Sequence, residues 1–179
     1  MVLYRKRKKG WKKFRNWNEN VRYDLVVKSI SHVSVSGSGD VDVEKLSGDK
    51  CTIKISGSGN IEIDEVRSNK AIVRVSGSGD IDVSTLSANV LSIAINGSGD
   101  IDINGRTVEL DVTISGSGNF SGNKLKSEDV SINLYGSGDA GVWATKTLNA
   151  HTSGSGDVTY YGDPSVQSRT TGSGDIRRH

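Results

Sequence analysis

The chain has 179 residues, of which 34% are hydrophobic, and it carries 22 glycines, one proline and a formal net charge of +2. This length suffices for one domain with its own core. The single cysteine excludes an internal disulfide, and no apolar run approaches the length of a transmembrane helix. No apolar segment follows the basic start of the chain, so no signal peptide is predicted in it.

The first predicted element is a basic segment with one strand, residues 1–28. Eight Lys or Arg residues lie between Met1 and Arg15 without an acid, whereas the remaining 164 residues carry 15 basic and 21 acidic groups. Cations interleaved with aromatic rings are typical of surfaces that bind anionic polymers. The candidate anion-binding residues are Lys8, Lys9, Lys12, Lys13, Trp11 and Trp17. The outer face of the first coils is the simpler interpretation of this segment.

The second predicted element, residues 29–179, is an array of repeats. A Gly-Ser-Gly-Asp/Asn motif occurs eight times, at intervals of 18 to 20 residues. Its first glycines are Gly37, Gly57, Gly77, Gly97, Gly116, Gly136, Gly154 and Gly172. Regular recurrence at this period indicates stacked structural units, each too small to bury its own apolar edge.

Valine and isoleucine alternate with polar residues on both sides of each motif, as Ile53, Ile55, Ile61 and Ile63 show. Alternation of β-branched residues predicts half-buried strands. The predicted fold is all-β, a single-stranded right-handed parallel β-helix of about eight coils of ~20 residues, roughly 40 Å long. An antiparallel sandwich is the alternative, but it does not require columns of identical residues.

The repeat also predicts the role of individual positions. Glycine suits a sharp corner, and the Asp or Asn that follows is expected to bond amides of its own turn. The polar stretch 47–50 is expected to form a further turn. Cys51 occupies the column of Ala71 and Leu91, which predicts a core position. The C-terminal coils replace apolar residues with polar ones, which predicts a cap formed by Thr152, Thr170 and Arg178.

Carboxylates fall into two outward columns, one at the fourth motif residue and one two residues later. Like charges one coil apart repel, which raises their pKa or favours a bound cation such as calcium. The candidate weak cation-binding residues are Asp40, Asp42, Asp80, Asp82, Asp100 and Asp102. A solvated acidic face is the simpler interpretation, and no other cofactor is expected. A carboxylate pair could also cleave polysaccharide, but a catalytic pair would require a local break in the repeat.

The runs Val35-Ser36-Gly37-Ser38-Gly39-Asp40-Val41 and Val75-Ser76-Gly77-Ser78-Gly79-Asp80-Ile81 resemble the bacterial family of putative auto-transporter adhesins with a head GIN domain. The segment Tyr160–Pro164 resembles the C-terminal end of that family. The resemblance implies a β-helical domain in a cell-envelope or secreted protein, here lacking the family's N-terminal head.

The leading functional hypothesis is a non-catalytic structural or adhesive module. The second is a module that binds anionic glycan, lipid phosphate or nucleic acid through the basic aromatic start, and the third is a polysaccharide-active enzyme. Expected partners are a surface glycan and further copies of the chain, which associate through the β-helix ends because open ends expose unpaired strand edges. No specific nucleic acid is expected.

Overall fold

The computed structural model of the chain describes Asp24, Val26 and residues 29–179. The predicted entry segment, residues 1–28, therefore lies almost entirely outside the described residues. Within the described part the chain forms ten strands and no helix. The strands are β1 (His32–Gly37), β2 (Val41–Gly57), β3 (Ile61–Gly77), β4 (Ile81–Gly97), β5 (Ile101–Gly116), β6 (Phe120–Gly136), β7 (Ala140–Gly154), β8 (Val158–Tyr161), β9 (Ser165–Gly172) and β10 (Ile176–Arg178).

Every pairing between these strands is parallel and joins equivalent positions of successive repeats. Strands β1 to β8 follow one another in a single sheet, in which β10 pairs with β8, and β9 pairs with β7. Residue pairs such as Ile55 with Val75 and Gly57 with Gly77 show that the motif sets the register. The predicted parallel β-helix is confirmed. Its eight motifs bound seven complete coils, so the solenoid has about seven turns rather than eight.

The core is the stack of inward-facing columns predicted from the alternation. Ile53, Ile55 and Ile61 are completely buried, and so is Leu46 from the third apolar column. Cys51 is buried in register with Ala71, as predicted. Burial raises the pKa of the Cys51 thiol, because the thiolate would lose its hydration there.

Glycine is needed at the two glycine positions of each motif for different structural reasons. The first adopts a left-handed conformation, with φ of +128° at Gly77. The second lies against the preceding coil, where a side chain at Gly79 would meet the Gly59 backbone and come within 2.9 Å of Ile55 Cγ2. The tight stacking allows Ser78 N and Gly79 N to donate to Gly57 O at 2.9 and 3.2 Å.

Two details differ from the sequence predictions. The polar stretch 47–50 does not leave the sheet, because Ser47, Gly48 and Lys50 pair with the next coil within the continuous strand β2. Thr152 is buried in the core column of Leu134, whereas Thr170 and Arg178 are exposed. The polar replacement at Thr152 therefore lies inside the core and is not part of a cap.

Candidate functional site

The carboxylate column at the fourth motif residue is occupied by a hydrogen-bond ladder. In each coil the Oδ1 atom accepts a hydrogen bond from the backbone N–H at the same position one coil further on, at 2.8 to 3.1 Å. The donors and acceptors are Asp40, Asn60, Asp80, Asp100, Asn119, Asp139, Asp157 and Asp175. The predicted bond within the residue's own turn is thus replaced by a bond between coils, and these side chains hold adjacent corners together.

The second carboxylate column lies two residues further on, where Asp42, Glu62, Asp82 and Asp102 are aligned in register. Desolvation by burial, and then the negative charge of Asp102, raise the pKa of Asp82. Both carboxylates line a depression of about 350 Å³. It lies beside a register irregularity, between Val83 and Leu86 of β4, where the 19-residue coil of β5 begins.

The depression brings together only two of the six predicted cation-binding carboxylates. It is lined by Asp82, Asp102, Asn104, Ser121, Asn123 and Lys124. Calcium prefers six to eight oxygen ligands. The side-chain oxygens of Asp82, Asp102, Asn104 and Asn123 are the groups here that could hold it, but Lys124 adds a competing positive charge. Across the described residues there is no cluster of three or more His, Cys, Asp or Glu side chains suited to a metal ion. Calcium binding stays a prediction.

A stripe of cations and aromatic rings runs along the C-terminal half of the rod and was missed in the sequence. We define the aromatic stripe as Arg106, Lys126, Trp143, Tyr161 and His179. The first four are aligned coil by coil through the parallel ladder. Lys126 Nζ lies 5.1 Å from the Trp143 ring centroid, a cation–π distance. The rings of Trp143 and Tyr161 stack at 6.2 Å, and those of Tyr161 and His179 at 4.4 Å.

Sequence reasoning missed the aromatic stripe because the coils differ in length. Counted from the fourth motif residue, Arg106 lies six residues on and Lys126 seven, whereas Trp143 and Tyr161 lie four residues on. Register irregularities between Gly122 and Lys126 bring these unequal positions into one column. The 19-residue spacing from Gly97 to Gly116 and the 18-residue spacing of the last repeats are the sequence signals of these shifts.

The predicted anion-binding residues of the N-terminus lie outside the described residues. These are Lys8, Lys9, Lys12, Lys13, Trp11 and Trp17. Their role stays a prediction. In the part of the chain that is described, no helix could cross a membrane.

The fold and the motif together define a parallel β-solenoid repeat protein of the Gly-Ser-Gly-Asp type. The family model described as "Putative auto-transporter adhesin, head GIN domain" matches residues 2–84 and 52–164, and the chain belongs to this family. No curated protein matches the chain significantly.

Solved structures from Parabacteroides species share the fold. A putative adhesin from Parabacteroides merdae is 28% identical, with a TM-score of 0.81 over 83% of this chain and 63% of its own. A putative lipid binding protein from Parabacteroides distasonis is also 28% identical, with a TM-score of 0.77 over 83% of this chain and 61% of its own. This chain therefore spans about three fifths of the length of either relative. A second Parabacteroides distasonis protein, a putative adhesin 21% identical with a TM-score of 0.69, covers 87% of this chain and 94% of its own, and shows the fold alone.

Proposed function

We propose that the chain is a non-catalytic structural and adhesive module of a bacterial cell-envelope or secreted protein. The observation that carries this proposal is the parallel ladder that continues from β1 to β10. Such a ladder makes a stiff rod whose side chains form long, regular arrays suited to contact with extended partners. Membership of an adhesin family supports the same role and a location at the cell surface.

The aromatic stripe is the surface we assign to adhesion. Tyr161 is stacked on both sides, by Trp143 and by His179, so its ring edge rather than its face is left for a ligand. Trp and Tyr combine an apolar ring with a polar N–H or O–H tip, and Arg106 and Lys126 add positive charge. A glycan that carries hydroxyl and carboxylate or sulfate groups fits this combination of donors.

Retention on immobilised anionic glycans tests the assignment. Trp143→Ser and Tyr161→Ser are expected to lower retention at least several-fold. Tyr135→Ser is the matched control, because Tyr135 is an exposed aromatic residue in a different column and contacts His151 instead. If all three variants are retained as strongly as the native chain, the aromatic stripe is not the adhesive surface. If all three lose retention to the same extent, the substitutions have destabilised the fold in general.

The second candidate is binding of anionic polymers through the basic N-terminus. It is supported by the relative described as lipid binding, which makes phosphate-bearing lipids a ligand class to test. The variant with Lys8, Lys9, Lys12 and Lys13 changed to Gln is expected to lose retention on vesicles containing anionic phospholipid and on heparin. Unchanged retention would reject this candidate, whereas the aromatic stripe variants are expected to bind such vesicles normally.

A further inference from the structure

One outer face of the solenoid changes the sign of its charge along the rod. We define the charged face as the outward positions of residues 50–54 and of the equivalent residues in the next four coils. Three columns run along it. They are Lys50, Lys70, Val90, Glu109 and Asp129; Thr52, Ile72, Ser92, Asp111 and Ser131; and Lys54, Arg74, Ala94, Thr113 and Asn133.

The first two coils form the basic half of the charged face. Lys50, Lys54, Lys70 and Arg74 are all exposed, and none makes an ion pair with another described residue. Their register places Lys50 beside Lys70 and Lys54 beside Arg74, one coil apart. Like charges in neighbouring register positions destabilise a sheet. The basic half therefore carries unfavourable charge that an opposite charge from outside would offset.

The fourth and fifth coils form the acidic half, and the coil between is uncharged. Glu109 and Asp111 are exposed, and Asp129 is half-buried beside Thr147, whose hydroxyl donates to it at 2.6 Å. On the central coil the outward residues are Val90, Ser92 and Ala94, which are half-exposed. The charged face thus has a positive end, a small and largely apolar centre and a negative end.

We propose that two copies of this chain associate laterally through the charged face, with antiparallel rods related by a twofold axis at the Val90 coil. This arrangement sets coil against coil in reverse order, so Lys70 opposes Glu109 of the second copy and Lys50 opposes its Asp129. Arg74 lies diagonal to Asp111 of the second copy. Each contact occurs twice because a twofold interface is self-complementary.

The charges select this arrangement over the other twofold packing of the same face. If the axis ran along the rod, the rods would be parallel and each coil would oppose itself. The Lys50 and Lys70 column would then face Lys54 and Arg74 of the second copy, and like charges in apposition disfavour an interface. The antiparallel dimer is the arrangement that neutralises both halves.

The size of the charged face predicts a weak dimer. Five coils at ~4.8 Å and five strand residues at ~3.3 Å give about 400 Å² per copy, or about 800 Å² in total. Stable interfaces bury about 1,200 Å² or more, and weak or transient ones bury less. We therefore expect a concentration-dependent equilibrium that weakens as salt screens the opposed charges.

Charge reversal and its rescue test the proposal in the full chain. Sedimentation velocity in low salt should show dimer formation, which Lys70→Glu alone or Glu109→Lys alone weakens about tenfold. The double variant should restore it, because the two reversed charges face each other across the twofold axis. Lys124→Glu and Glu62→Lys, which change the same net charge on a different face, should leave dimerisation unchanged.

A cysteine at the twofold axis tests the geometry. Val90→Cys should form an intermolecular disulfide on mild oxidation, since each copy of residue 90 opposes itself, whereas Ser84→Cys on another face should not. The native Cys51 is buried and does not compete. A strict monomer at millimolar concentration would overturn the proposal. Two results together would also overturn it: the Lys70→Glu variant still associates, and the Val90→Cys variant forms no intermolecular disulfide. Contact through the rod ends would give that combination.

Discussion

Alanine in place of Gly99 is expected to destabilise the solenoid by about 3 kcal/mol, because the second motif glycine leaves no room for a side chain. The new methyl carbon would overlap Gly79 O and lie 2.9 Å from Val75 Cγ1 and 3.1 Å from Gly79 C. Carbon atoms pack best at roughly 3.5 to 4.0 Å, so the fourth corner would have to move away from the third. That movement would also stretch the hydrogen bond from Gly99 N to Gly77 O, which is 3.2 Å long.

The matched control is Gly39→Ala, which changes the same motif position in the first corner. A methyl group at Gly39 meets no atom of the described residues within 4 Å, so this variant should match the native chain or be up to about 1 kcal/mol more stable through reduced unfolded-state entropy. Urea denaturation followed by circular dichroism measures both variants. Equal midpoints for Gly99→Ala and Gly39→Ala would refute the close stacking of corners on which this reasoning depends.

Three further predictions concern named polar side chains. Asp100→Ala should lower the free energy of unfolding by about 1 kcal/mol, since Asn119 N and Nδ2 donate to Asp100 Oδ1 at 2.8 and 2.9 Å. Asp100→Asn should retain most of the stability. Equal urea midpoints for the two variants would contradict the ladder. Burial and Asp102 raise the folded-state pKa of Asp82 above its ordinary value of 3.8, so Asp82 weakens stability progressively as pH rises from that value through the folded pKa. Asp82→Asn should therefore raise the urea midpoint at pH 7 and leave it unchanged in acid, and a lower midpoint at pH 7 would be the opposite of this expectation. Thr152→Val should stabilise the chain by about 1 kcal/mol in thermal or urea denaturation, since its buried hydroxyl has no hydrogen-bond partner among the described residues. A loss of stability would show that the hydroxyl is satisfied in solution.

The repeat made the fold predictable because every coil obeys the same local rules. Columns read from the sequence at Cys51 and Ile55 are the columns that the parallel ladder aligns. The number of coils and the extended conformation of residues 47–50 were harder to predict, since counting motifs does not show where strand pairing continues. Hydrogen bonds between coils, as at Asp100, depend on the distance between corners, which no single repeat specifies.

The candidate surfaces were less predictable than the fold. The carboxylate column was visible in the sequence, but not the depression that joins Asp82 to Asn123, since this forms where the register shifts. The aromatic stripe depends on the same shifts, which bring Lys126 beside Trp143 despite their different positions in the repeat. Surfaces of a solenoid thus become difficult to predict where coil length changes.

The central claim is adhesion without catalysis, and it is tested by following one glycan after it binds the chain. Incubation with the anionic polysaccharide that retains the chain, followed by chromatography of the glycan and a reducing-end assay, measures binding and cleavage together. The proposal predicts stoichiometric retention that depends on Trp143 and a glycan of unchanged length. Release of oligosaccharides by the native chain and not by Asp82→Asn would contradict it and assign the depression to a polysaccharide-cleaving enzyme.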